Sequence, residues 1–212
     1  MTTPELTRRM ALTRAAAVGL AALGGCASSL LPPPAPLPAQ FALVDDGPPA
    51  TATAAPGAPT LIVATPRAAA GFDTRGIVYL RQPQAIEVFA ASQWVDTPAQ
   101  MLAPLIVNAL QRTGAFAAVL RAPSSASAEL RLDTELLRLQ QDFTVTPSRV
   151  RLSLRATLIE TGSRRVLGWR EFDVNVAAAS EDAYGGVRAA NVAARQVLAE
   201  LADFTAQAAA KK

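Results

Sequence analysis

From Thr60 onward the hydrophobic positions follow two periods, one of two residues and one of three to four. Short β-rich runs at 61–64, 76–80 and 85–92 predict strands, and an isolated apolar run at 41–44 predicts an earlier one. The string Thr97-Pro98-Ala99-Gln100 predicts a helix start, with Thr97 as N-cap, Pro98 at the first helical position and Gln100 closing a capping box. Met101, Leu102, Leu105, Ile106, Ala109 and Leu110 then form one apolar face. Pro104 predicts a kink, and Gly114 a C-terminal stop.

Beyond that helix the two-residue period dominates. A short strand at 117–121 and a Ser/Pro-rich loop at 123–127 precede a run at 128–136. In it Leu130, Leu132 and Leu136 take one face and Glu129, Arg131, Asp133 and Glu135 the other. Leu137 and Leu139 fall on the polar register, which predicts a bulge near 136–138. After a turn at Thr146-Pro147-Ser148, Val150, Leu152, Leu154 and Leu158 alternate with Arg149, Arg151 and Arg155, so that this basic row is expected beside the acidic face of the preceding strand. Gly162-Ser163 turns the chain into a strand at 166–176 with Phe172, Val174 and Val176 inward. A last helix, about 182–208, carries Val187, Ala190, Ala194, Val197, Leu201 and Phe204 on one stripe.

The order, strands then helix then strands then helix, predicts a single α+β domain. Two helices would pack on one face of a largely antiparallel sheet and leave the other face exposed.

The chain before residue 41 is built differently. Residues 1–25 combine Arg8, Arg9 and Arg14 with an apolar run at 15–23 that is too short to span a bilayer, and so read as an export signal. Leu23-Gly24-Gly25-Cys26 resembles the lipobox of bacterial lipoproteins, whose cysteine receives diacylglycerol and, with palmitate-type acyl chains, becomes the new N-terminus. Residues 7–12, TRRMAL, resemble a degenerate twin-arginine sequence, and a plain n-region explains the same arginines; both routes stay open. Residues 26–40, with LPPPAPLPAQ at 31–40, would form a proline-rich tether of about 3.1 Å per residue. The domain is expected over 41–210, with a mobile Pro/Ala-rich loop at 47–59.

Composition narrows the chemistry. Of 212 residues none is histidine, one is cysteine, and the only lysines are Lys211 and Lys212, which removes His-based triads, His-ligated metals and internal lysine chemistry. Asp133 and Glu135 could pair as in a glycosidase, but they share one exposed strand face with no aromatic cleft. No catalytic residue, cofactor or metal site is therefore expected. The formal charge of +3 falls to +1 once the three Arg and one Glu of the export segment are removed, and no basic helix argues for nucleic acid.

Several strings in order resemble the family of ABC-type transport auxiliary lipoproteins, which includes the PqiC-like outer-membrane lipoproteins. They are Gly71-Phe72-Asp73-Thr74 with Ile77 and Tyr79, Trp94-Val95-Asp96-Thr97-Pro98, Gly114-Ala115-Phe116, Asp142-Phe143, and Ala190-Asn191-Val192-Ala193, together with the lipobox. The resemblance, over about 41–205, implies a non-catalytic lipoprotein on the periplasmic face of the outer membrane. Ala27 after the cysteine points to the same membrane by the enteric sorting rule. The implied role is to assist lipid trafficking. Its partners would be an MCE-domain protein and an ABC permease and ATPase; a homo-oligomer stays open. The alternative is a structural or assembly lipoprotein of another envelope complex.

Within those strings, Trp94, Phe116 and Phe143 are expected in the core. Asp73-Thr74-Arg75 should hold a loop through side chain to backbone bonds. Asn191, close to the apolar stripe of the last helix, should tie that helix to a loop. The row Arg149, Arg151 and Arg155 should be a solvated charged face.

Overall fold

A computed structural model of the chain describes residues 36–49 and 53–211. The export segment at 1–25, the first ten residues of the tether and part of the 47–59 loop thus lie outside the described residues. Residues from Pro38 on form one unit. Its strands are β1 (Ala39–Phe41), β2 (Thr60–Val63), β3 (Arg67–Ala68), β4 (Gly76–Leu80), β5 (Ile86–Trp94), β6 (Ala118–Arg121), β7 (Leu130–Asp142), β8 (Arg149–Glu160) and β9 (Val166–Ala177). The helices are α1 (Pro98–Arg112), between β5 and β6, and α2 (Ala183–Ala209), after β9.

All nine strands belong to one sheet, and β7 is its axis. One edge of β7 pairs antiparallel with β8 along its whole length, and β8 pairs antiparallel with β9. The other edge is shared in series by three parallel partners: β2 at Leu130–Leu132, β3 at Glu135–Leu136 and β4 at Gln141–Asp142. Strand β6 adds to β2 in parallel, β5 to β4 antiparallel, and β1 to the end of β5 in parallel. The sheet is thus mostly antiparallel by length, as expected, while its short strands join in parallel, a mixture that periodicity alone does not specify.

The bulge expected near 136–138 is present. Leu136 pairs with Leu154 and Arg138 with Ser153, which leaves Leu137 as the extra residue. That insertion returns Leu139 to the buried face at 4% exposure. Leu130, Leu132, Leu136, Leu152, Leu154, Leu158 and Phe172 meet Leu102, Ile106 and Leu110 of α1 and Val197 and Leu201 of α2 in one core. Both helices therefore cover the same face.

Local expectations fared unevenly. The capping box does not form: the Thr97 side chain makes no cap bond, and the Thr97 N–H that Gln100 would accept from is donated to Asp96 Oδ1 at 2.7 Å. The helix passes through Pro104 on its exposed side. Gly114, at φ 65°, does terminate it. Helix α2 starts on Asp182, whose carboxylate accepts from Gly185 N at 2.7 Å. The apolar run at 41–44 is not itself the strand. Strand β1 is displaced toward the N-terminus and takes Ala39 and Gln40 from the expected spacer, because Val44 N bonds a helix side chain instead of a ladder.

Gly186 of α2 lies against Gln141 of β7, so closely that a Cβ there would overlap Gln141 Oε1. Alanine ordinarily improves a helix interior by about 1 kcal/mol over glycine. Here Gly186→Ala is expected to destabilise by about 1–3 kcal/mol, read as a fall in melting temperature of about 2–4 °C per kcal/mol. In a Gln141→Ala background the same substitution should become neutral or favourable; an equal loss in both backgrounds would refute the contact.

Candidate functional site

Two features of the domain bear on function: the segment by which the N-terminal part of the chain joins it, and the sheet face that the helices leave open. The lipobox residues Leu23, Gly24, Gly25 and Cys26 lie outside the described residues.

The junction is pinned on three sides. Strand β1 sets Phe41 beside the buried Trp94, and Val95 N donates to Phe41 O at 2.8 Å. Asn191 of α2 then holds the next residues, accepting from Val44 N at 2.8 Å through Oδ1 and donating from Nδ2 to Ala42 O at 3.2 Å and to Val187 O at 3.0 Å. This is the tie expected of that amide, and it meets three separate groups. Asp45 accepts from Arg112 Nη1 at 2.8 Å and from Asn108 Nδ2 at 3.1 Å, both on α1, while Asp46 receives Arg195 of α2 at 3.1 Å. The Arg112 hydrogen bond holds the Asp45 carboxyl below the usual carboxylate range, aided by Gly47 N and Asn108 against the opposing effect of burial. Residues 41–46 thus stitch the sheet to both helices.

On the open face the charges pair. Arg155 of β8 bridges Glu135 of β7 at 3.3 Å and Glu171 of β9 at 3.2 Å. Arg151, however, pairs with Asp173 of β9 at 2.7 Å, and Asp133 is taken by Arg131 of its own strand, so the basic row does not face only the preceding acidic strand. Register explains it: Arg151 lies opposite Gln140 on one side and Asn175 on the other, one diagonal step from Asp173. The Arg151 bond lowers the Asp173 pKa, against burial, with Ser153 also donating at 2.7 Å. Asp133 and Glu135 each sit in one of these pairs, with Arg131 and Arg155 respectively.

The loop strings are tied to each other by hydrogen bonds. Thr74 Oγ1 accepts from Gly76 N at 3.0 Å, Arg75 Nε donates to Trp94 O at 3.2 Å, and Trp94 N donates back to Arg75 O at 2.7 Å, so two of the signature strings are bonded to each other. Trp94 and Phe116 are core residues at 2% and 6% exposure. Phe143 is half-buried and instead joins an aromatic trio with Tyr79 and Phe89, at centroid distances of 5.8 and 6.3 Å.

Exposed apolar side chains complete the surface: Ile86 and Val88 on β5, and Val166 and Trp169 on β9. The sequence reading singled out none of them, although Trp169 sits on the opposite parity to Phe172, Val174 and Val176 and was legible as outward. Room inside is small. The gap among Ile77, Trp94, Leu139, Gln141, Val150, Gly186 and Ala190 is about 10 Å³, and the depression beside Phe72, Ile86 and Arg138 is about 460 Å³. Among the described residues there is no cluster of potential metal ligands, and no helix is long and apolar enough to cross a membrane.

The model of the family described as ABC-type transport auxiliary lipoprotein component matches residues 41–202. Among solved structures, protein XCC0632 from Xanthomonas campestris, assigned to DUF330, is similar at 25% identity and a TM-score of 0.69, over 81% of this chain and 97% of that one. A crystal structure of an uncharacterized protein is similar at 15% identity and a TM-score of 0.62, over 79% and 98% respectively, and shares the fold. No match was found among curated proteins.

Two outcomes follow from the junction. Asn191→Ala removes three hydrogen bonds and is expected to cost about 1–3 kcal/mol; hydrogen exchange should accelerate first at 42–46, and uniform acceleration over the domain would contradict the local tie. Asp45, Asp173 and Asp182 all have lowered folded-state pKa values, set first by Arg112, by Arg151 and by the Gly185 N–H respectively. Their stabilisation is therefore present above the unfolded value of about 3.9 and is lost as pH falls through the lower folded values. Melting temperature should drop below about pH 4, and Asp45→Asn should flatten that drop.

Proposed function

The chain belongs to the ABC-type transport auxiliary lipoprotein component family, and from that premise we propose that it is a non-catalytic, lipid-anchored adaptor of an MCE-associated ABC transport system that assists lipid trafficking between the inner and outer membranes. The observation that carries the reading is the family match itself, which spans the strands and helices from Phe41 into α2. Supporting it is the junction at 41–46, which ties the start of the domain to sheet and helices at once.

In this reading diacylglycerol on Cys26 holds the protein to the periplasmic face of the outer membrane. Each buried methylene contributes about 0.8 kcal/mol, and a second chain makes anchoring stable. The proline-rich residues 26–38 space the domain from the lipid. A pull on the tether would be distributed through β1 and Asn191 into the core rather than taken by a loop. The open sheet face, with paired charges and an apolar rim, would meet the MCE-domain protein or the permease; its contribution is docking, since its carboxylates and arginines are engaged with each other.

The full chain in bacterial envelopes tests this. The wild type should fractionate with the outer membrane and co-purify with the MCE-domain protein, and Cys26→Ser should shift to the soluble periplasmic fraction with at least a ten-fold loss of co-purification. Membrane retention of Cys26→Ser would refute the anchor. Normal lipid traffic without the protein, accompanied by failure of another envelope assembly, would replace the transport reading with an assembly role.

A further inference from the structure

The depression of about 460 Å³ on the open face has two unlike sides. One is apolar, with Phe72 from the loop before β4, Leu80 from the end of β4 and Ile86 from the start of β5. The other is polar, with Arg138 and Asp142 from β7 and Arg151 from β8. Register sets both sides on one face, since Leu80 lies opposite Ile86 on β5 and opposite Asp142 on β7. The volume falls within the roughly 300–1,000 Å³ of small-ligand pockets.

Arg138 differs from the paired arginines of this face. The bulge that leaves Leu137 without a partner turns Arg138, opposite Ser153, out of the core and into the depression. It is half-buried and makes no hydrogen bond or ion pair among the described residues. The nearby carboxylates are engaged elsewhere. Asp173, whose pKa is lowered first by Arg151 and also by the charge of Arg138, accepts from Arg151 Nε at 2.9 Å, Arg151 Nη2 at 2.7 Å and Ser153 Oγ at 2.7 Å. Asp142 Oδ1 accepts from Thr144 N at 2.9 Å. The lining therefore sets two arginines against one aspartate, and the Arg138 guanidinium keeps its whole fork of donors unused. Ile86, across from it, is left 54% exposed.

We propose that this depression binds a small amphiphilic anion, with its carboxylate or phosphate head on the Arg138 guanidinium and its apolar chain along Phe72, Leu80 and Ile86. Charge complementarity carries the assignment: the head supplies the acceptors that the protein does not, and the planar fork matches either head with two parallel bonds. The chain covers apolar surface that otherwise meets water. A neutral apolar molecule would leave the guanidinium covered and unpaired, and a bare anion would leave Ile86 exposed. The site depends on the geometry of the open face alone and stands apart from the transport reading.

A titration of the purified full chain carrying Cys26→Ser, which keeps the anchor's own acyl chains out of the measurement, reads this out by backbone amide shifts in NMR. Decanoate, decyl phosphate or both should bind with a Kd about ten-fold or more below those of decanol, acetate and inorganic phosphate. The shifts should centre on Phe72, Leu80, Ile86 and Arg138. Tighter decanoate assigns a fatty-acid head and tighter decyl phosphate a phospholipid-type head, and either supports the site. Arg138→Gln should bring both anions to the affinity of decanol, while Arg164→Gln, in the β8–β9 turn, should change nothing. Equal affinity of the wild type for decanol and the two amphiphilic anions, shifts centred away from the depression, or anion binding unaffected by Arg138→Gln overturns the proposal. An unchanged melting temperature shows that Arg138→Gln is folded; if it is not, the wild-type comparison of charged with uncharged ligands decides alone.

Discussion

One extra residue decides how the sheet meets its helices. Strand β7 pairs on both edges, and Leu137 is the single position on it without a partner across β8. Without that insertion the parity set by Leu130, Leu132 and Leu136 would continue, turning Leu139 and Gln141 outward and Arg138 and Gln140 into the core. Burying an unpaired guanidinium is far more costly than any contact it could make there. The bulge thus keeps Leu130, Leu132, Leu136 and Leu139 on the face that both helices cover.

What β7 arranges, α2 exploits. The buried side of α2 is rich in alanine, with Ala190, Ala193 and Ala194 at 2% exposure or less, so the helix approaches the sheet closely over Gln141 and Val150. Further along, Gly168 makes room for Phe204, which stacks edge-on against Phe172 at 6.0 Å. Close approach puts Asn191 within reach of residues 42–44, a bond spanning 147 positions of sequence. The junction is therefore a consequence of small residues on one helix as much as of the amide itself. A bulky residue at Ala190 or Ala194 would lift α2 away and loosen the start of the domain with it.

Much of this was legible from alternation and spacing. Period two fixes the inward leucines of β7, β8 and β9, and its interruption at Leu137 and Leu139 reveals the bulge, because a change of parity has no other cheap explanation in a buried strand. What was missed depends on partners distant in sequence. Two residues of β3 carry no period, and nothing local says that β2, β3 and β4 dock in parallel along one edge of β7. Thr97 and Gln100 have the capping-box spacing, yet Asp96 takes the donor first. The apolar run at 41–44 announces burial and not what buries it, so it reads as a strand when Asn191 is its actual partner. The cationic partner of Asp173 could not be assigned from β8 alone, since either neighbour and either diagonal was available.

The division between interior and surface bears on what the domain can contribute. The gap beside Gln141 is about 10 Å³, room for about one water molecule and not for an acyl chain. On the open face Arg131 pairs with Asp133, Arg151 with Asp173, and Arg155 with Glu135 and Glu171, at 2.7 to 3.3 Å. Exposed pairs of this kind add only about 0–1 kcal/mol each to stability. Their larger effect is on encounter, because a partner surface must match an alternating pattern of sign across three strands or leave charges unpaired on burial. The same face is bordered by exposed apolar side chains, Ile86 and Val88 on one flank and Trp169 on the other, so a surface that covers it must match apolar margins as well as the pattern of sign.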